Sequence, residues 1–247
     1  MFCTNKLVER CAVSLRTRET AQVFPLYVYL NDRTGNNKAP NFKTEFYAYL
    51  SNKKELCGAL TPKNVFFYIY AILHSQKYRQ KYSEQLCIDF PKIPFTYDKN
   101  AFVKLSKFGK KLVNLHLLKS KELGKKQATY PVKSLNDEVT KISFDSKNGR
   151  VYINKNKYFG NISEDVWNFR IGGYQVLYKW LKSRMKRNLS HWEILTFLKI
   201  VSAINHTIEL MKEIDKIYPK VEEKLIDRKE FEKCEVEEKQ KKLTHGT

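Results

Sequence analysis

Six apolar residues behind one serine constrain this chain most. Ile194, Phe197, Val201, Ile204, Ile208 and Met211 recur at alternating steps of three and four. That period puts them on one side of a single helix, with Ser190 as its N-cap. A seam of this length has to be buried against a core or a neighbouring helix, so the chain is expected to be built largely from helices.

Other stretches read as further elements of an α+β, helix-dominated domain with one or two small antiparallel sheets. VFPLYVYL (23–30) is short, aromatic and β-branched, and NDRTGNNKAPN (31–41) reads as the loop that closes it. In TPKNVFFYIYAILH, Thr61 caps a helix whose first position is Pro62. Ser75 is expected to cap a second helix through Leu86, carrying Tyr78, Tyr82 and Leu86 at steps of four. FPKIPF cannot be helical, because each proline forces its predecessor out of the α region. Residues 101–118 read as an amphipathic helix, with Leu105, Phe108, Leu112 and Leu115 opposite Lys104, Lys107, Lys110 and Lys111. KISFDSKNGRVYIN (141–154) reads as a hairpin with a type I′ turn at Asn148-Gly149. A break at Gly172-Gly173 precedes a helix expected to start near Tyr174. Residues 219–247 read as a charged helical or disordered tail.

Charge indicates the partner. Lys and Arg number 46 against 26 Asp and Glu, a formal net charge of +20. An excess of this size points to a polyanion, first of all nucleic acid. Five scattered cysteines without a C-x-x-C pair favour reduced thiols over a disulfide framework or a zinc site. The longest apolar run, VFFYIYAIL, is too short for a membrane span. A soluble, cytoplasmic chain without membrane contact is expected.

Catalytic constellations are missing from the sequence. It has no G-x-G-x-x-G, no P-loop, no H-E-x-x-H and no G-x-S-x-G, so no metal site is expected. Glu222 and Lys224 echo one end of a nuclease site but read better as a solvated helix face. Arg184 and His191 leave one enzymatic alternative, a metal-independent RNase in which Arg holds a phosphate and His moves a proton. A nonspecific basic nucleic-acid binder is the other alternative. The cationic pattern itself is clearer. Lys179, Lys182 and Lys186 line one side of the helix after the double glycine, Val176, Trp180 and Leu181 the other, and Arg184 and Arg187 flank the stripe. Such a helix is suited to lying along phosphates, with Lys104, Lys107 and Lys111 as a second set.

Five stretches also carry a family resemblance. They are FPLYVY (24–29), YAILHSQKYRQKYSEQLCIDFPKIPF (70–95), KLVNLHLL (111–118), VWNFRIGGYQVLYKWLKSRMKRNLS (166–190) and IVSAINHTIELMKEID (200–215). In this order they resemble the C-terminal target-recognition region of single-chain restriction–modification enzymes of the type ISP class and their type IIG relatives. The resemblance spans roughly residues 20–218, read as one target-recognition domain beginning at residue 1. It implies sequence-specific binding of double-stranded DNA. In that family an upstream adenine methyltransferase domain binds S-adenosylmethionine and a further domain cuts. The N-P-P-[FY] signature and the cofactor loop of that methyltransferase are absent here. The chain is therefore expected to hold no cofactor and no catalytic residue, and to act with a methyltransferase or nuclease polypeptide in trans or with upstream domains. The resemblance also makes the Leu73-His74-Ser75 to Pro94 segment scaffold. Arg170, Tyr174 and Gln175, around the double glycine, are the candidates for base contact. Arg suits guanine O6/N7 and Gln adenine N6/N7, although Arg170 also fits a buried structural arginine.

Overall fold

The computed structural model describes residues 3–6, 8, 22–29, 38–51, 53–124, 128–131 and 136–226. Among these are eight α-helices and three small antiparallel sheets, one sheet more than expected. The chain divides into two compact units, residues 4–110 with 211–247, and residues 111–210 with 1–3.

The first unit opens with strands β1 (Tyr27–Tyr29) and β2 (Lys38–Pro40), paired antiparallel from Tyr27 opposite Pro40. β2 lies inside the stretch read as a loop. Lys-Ala-Pro has no strand signal of its own, and the pairing is locked from outside it. Asn41 donates its backbone N–H to Leu26 O and its side-chain amide to Pro25 O, both at 2.9 Å.

Helix α1 (Thr44–Ser51) follows, then α2 (Pro62–Ile72). The start of α2 is as expected: Pro62 occupies the first turn and Thr61 Oγ1 accepts from Asn64 N at 3.2 Å. Helices α3 (Gln76–Lys81) and α4 (Ser83–Ile88) replace the single helix expected from Ser75. Ser75 does cap α3, accepting from Tyr78 N. The helix then breaks at Tyr82 (φ −111°, ψ 23°), four residues after the anchored Tyr78. That side chain is fully buried and donates its hydroxyl to Lys92 O at 3.0 Å. Tyr68, likewise buried, donates to Pro94 O at 2.7 Å and lies between the rings of Phe95 and Phe102. Burial pushes its phenol well above the ordinary tyrosine range. Two tyrosine hydroxyls thus clamp the extended FPKIPF connector by its carbonyls.

His74 belongs to the packing of this segment. Its ring is buried, Nδ1 donates to Tyr70 O at 2.7 Å, and desolvation lowers its pKa to about 4, so the imidazole is neutral.

Helix α5 (Lys99–His116) has the expected amphipathicity. Leu105, Leu112 and Leu115 are fully buried and Phe108 half-buried, while Lys104, Lys107, Lys110 and Lys111 are exposed. Asp98 starts it by accepting from Ala101 N at 3.0 Å. At Gly109 the backbone of α5 meets that of α2 so closely that a methyl group would overlap the Phe67 carbonyl.

In the second unit, β3 (Ser143–Asp145) and β4 (Arg150–Tyr152) form the expected hairpin, and β5 (Tyr158–Phe159) adds a third strand. The turn differs from expectation. It is a four-residue loop, and of Asn148 and Gly149 only the glycine has positive φ (60°), whereas type I′ needs both. The Asp145 carboxylate organises the loop instead, accepting from Lys147 N, Asn148 N and Asn148 Nδ2. Helix α6 (Glu164–Trp167), strands β6 (Arg170–Ile171) and β7 (Tyr174–Gln175), and helix α7 (Val176–Lys182) follow.

Helix α8 (His191–Glu223) is the predicted long helix. Phe197, Val201 and Ile204 are buried in the core of the second unit, and Ile194 and Ile208 pack against it. By length and composition α8 could cross a bilayer, but its seam is occupied by protein. It also passes Pro219, where the charged tail was expected to begin. Tyr218 and Val221 are buried on either side, in the first unit, and that burial outweighs the one backbone bond the proline removes. Glu222 is not a solvated acid either, because it accepts from Lys81 Nζ at 2.7 Å and Tyr218 Oη at 2.8 Å. The tail beyond residue 226 lies outside the described residues.

Two outcomes are expected. Gly109→Ala should lower stability by about 1–3 kcal/mol through overpacking, read as a drop in urea midpoint, and an unchanged midpoint would contradict the close helix contact. The folded pKa of His74 lies below its ordinary 6.5, so between the two values the unfolded chain binds a proton that the folded chain does not. Stability should therefore fall by at most about 3 kcal/mol as pH drops from 6.5 to about 4. In thermal melts across that window His74→Gln should show a flatter pH dependence; a slope parallel to wild type would place the ring in water.

Candidate nucleic-acid interface

The basic stretch begins on a hairpin. Arg170 pairs with Gln175 and Ile171 with Tyr174, leaving Gly172-Gly173 as a two-residue turn. Gly172 has φ 59°, the left-handed conformation that a type II′ turn requires at its first central position. Nothing lies within 4 Å of the place a side chain would take on either glycine, so the turn is open to solvent. The helix expected from Tyr174 starts two residues later, because Tyr174 and Gln175 are held in strand pairing.

The predicted residues are placed as follows. Arg170 is exposed rather than buried, its Nη1 3.4 Å from Gly173 O. Gln175 is half-buried and donates Nε2 to Trp167 O at 2.7 Å, so its amide supports the hairpin. Lys179 Nζ stands 3.3 Å from the centre of the Tyr174 ring, and Lys182 Nζ 5.6 Å from that of Tyr178. Both lysines are exposed. Leu177 and Leu181 are buried and Val176 and Trp180 half-buried on the opposite side of α7. Lys186 is not on this helix, which ends at Lys182; it lies exposed in the following turn with φ 63°. Lys104, Lys107 and Lys111 are exposed on α5.

Arg184 and Arg187 are tied internally. Arg184 lies 3.5 Å over the Trp180 ring, donates Nη1 to Trp180 O, and donates Nε to Glu193 Oε1 at 2.9 Å. Arg187 grips the same carboxylate with two nitrogens, Nη2 to Oε1 at 2.6 Å and Nη1 to Oε2 at 3.2 Å. Glu193 Oε2 also accepts from Ser190 N at 3.1 Å while Glu193 N donates to Ser190 Oγ at 3.3 Å, a reciprocal capping box at the start of α8. To act as the phosphate holder of an RNase pair with exposed His191, Arg184 would have to leave both Trp180 and Glu193. Sequence reasoning missed Glu193, although Ser-x-x-Glu before an apolar run was there to be read.

From Arg170 to Trp192 the chain contains Arg170, Lys179, Lys182, Arg184, Lys186 and Arg187 and no Asp or Glu. The next residue is Glu193, already occupied. A cationic surface on a rigid hairpin–helix–turn frame can bind a polyanion with little ordering cost. Among the described residues no group of three His, Cys, Asp or Glu could hold a metal ion.

Arg187 first, then the Ser190 amide and Arg184, hold the Glu193 carboxyl down to about 2. Its stabilising effect is therefore present above its ordinary value near 4.5 and lost as pH falls toward 2. Glu193→Gln should lower stability at pH 7 by about 2 kcal/mol, and the gap to wild type should close in melts at strongly acid pH. A gap that persists there would assign the loss to packing rather than charge.

Among curated proteins none matches the chain by sequence. Several solved structures resemble it. The ATP-dependent Type ISP restriction-modification enzyme LlaBIII bound to DNA is 23% identical with a TM-score of 0.59, over 77% of this chain and 14% of that one. The DrdV–DNA complex is 19% identical with a TM-score of 0.57, over 77% of this chain and 21% of that one. This chain thus spans a small part of the length of both. Residues 1–213 match the family described as Type ISP C-terminal specificity domain. With nearly the whole described fold inside that match, the chain belongs to the Type ISP C-terminal specificity domain family.

Proposed function

We propose that this chain recognises a specific sequence in double-stranded DNA as the target-recognition part of a restriction–modification system, with no catalytic step of its own. The observation that carries the reading is the acid-free segment from Arg170 to Trp192, displayed on one braced frame within a specificity domain. The structures it resembles are complexes with DNA. Lys179, Lys182 and Lys186 contact phosphates, with Lys104, Lys107 and Lys111 as a further set. Arg170, at the open double-glycine turn, is the side chain best placed to reach a base edge; Tyr174, paired with Ile171 across the turn, carries the Lys179 ammonium over its ring. Gln175, Arg184 and Arg187 support the frame, the two arginines adding positive field. Adenine methylation with S-adenosylmethionine, and cleavage, belong to a methyltransferase or nuclease polypeptide in trans or to upstream domains.

Selection from a randomised duplex pool at about 150 mM salt, where phosphate-only binding is already weakened, should enrich a motif of several base pairs. Binding that collapses with salt and enriches nothing would defeat sequence recognition by the isolated chain. Lys182→Ala should weaken binding on every sequence alike and reduce the salt slope by about one. A loss confined to one sequence would instead make Lys182 a base contact.

A further inference from the structure

Trp192 is 75% exposed, whereas Trp167 is buried and Trp180 half-buried. Indoles left in water at this level are unusual, because the ring carries a large apolar area and a single N–H donor. The position is also rigid. Trp192 sits in the first turn of α8, between Ser190 and Glu193, which cap each other, and Glu193 is clamped by Arg184 and Arg187. The backbone that carries the ring is therefore fixed before any partner arrives.

The surroundings select the class of partner. His191 adjoins it in sequence, and Lys186 and Arg187 precede it by six and five residues. Lys199, exposed, follows seven residues later on the same side of the helix, since seven steps of about 100° nearly close two turns. Between Arg170 and Lys199 the one acid in the sequence, Glu193, has both oxygens occupied by arginines; of the two acids on the segment bridged to the turn, Asp137 is paired with Lys157 and Glu138 stands opposite Asn188. A partner that meets an exposed π face inside a positive field is a nucleic acid, which offers aromatic bases and phosphates together.

We propose that Trp192 stacks on a base of the bound DNA. The inference rests on the DNA-recognition reading above and adds a nonionic contact to it. Because base faces are covered inside a duplex, the ring enters at a base step that opens or meets a base already out of the stack.

The test is a salt titration of binding to a fluorescein-labelled duplex, using wild type, Trp192→Ala, Trp192→Phe and Lys182→Ala. Trp192→Ala should weaken binding about 5- to 100-fold at every salt concentration without changing the log–log slope, in contrast to Lys182→Ala. Trp192→Phe should recover much of the loss, and tryptophan emission of wild type should be quenched by DNA while that of Trp192→Phe is not. Thermal melts check that each variant is folded. Wild-type binding matched by Trp192→Ala overturns the contact and leaves the DNA reading standing. The same follows if wild type self-associates in gel filtration and Trp192→Ala does not, which makes the ring an interface between copies. Failure of wild type to bind any duplex removes the DNA reading itself, and this contact with it.

Discussion

One carboxylate organises the cationic surface. Glu193 joins the start of α8 to the turn after α7 by taking two arginines and one backbone amide. Without it, Arg184 and Arg187 would repel each other and the neighbouring lysines, and the first turn of α8 would lose half of its cap. A strongly basic surface has to be held together against its own charge. Here Glu193 restrains the two arginines, while the exposed lysines on α7 set their ammonium groups over the rings of Tyr174 and Tyr178.

The other recurrent device is the buried tyrosine used as a tether. Tyr68 and Tyr78 insert their rings into the core of the first unit and fix the FPKIPF connector through carbonyls two residues apart, at Pro94 and Lys92. Prolines remove backbone donors, so such a segment cannot join a helix or sheet ladder, and its carbonyls need outside partners. The Tyr-rich, Pro-rich composition of this stretch follows from that need and not from any chemistry.

Elements dictated by local pattern were legible in the sequence. Thr61-Pro62 and Ser190 mark helix starts by their own side chains, and the seam from Ile194 to Met211 announces α8 by its period. What escaped depends on contacts distant in sequence. β2 has no strand propensity and exists because Asn41 holds it to residues 25 and 26. The break at Tyr82 carries no proline or glycine to announce it, and α8 passes Pro219 with Tyr218 and Val221 buried on either side. For the candidate site, the sign and position of the charge could be read directly. The division of labour could not, because Lys and Arg look alike in a stripe. Only the structure separates the arginines bound to Glu193 from the lysines left free to reach outward.

The residues of the second unit form an insertion, entered along α5 and left along α8, since the first unit resumes at residue 211. Both crossings fall inside continuous helices rather than in loops. Within α8, adding or deleting one residue between Ile194 and Ile208 turns the residues beyond it by about 100°, enough to move part of its seam off the core of the second unit. New specificities should arise most readily where length changes between the two junctions, in loops and hairpins, while the residue count along both helices stays constant.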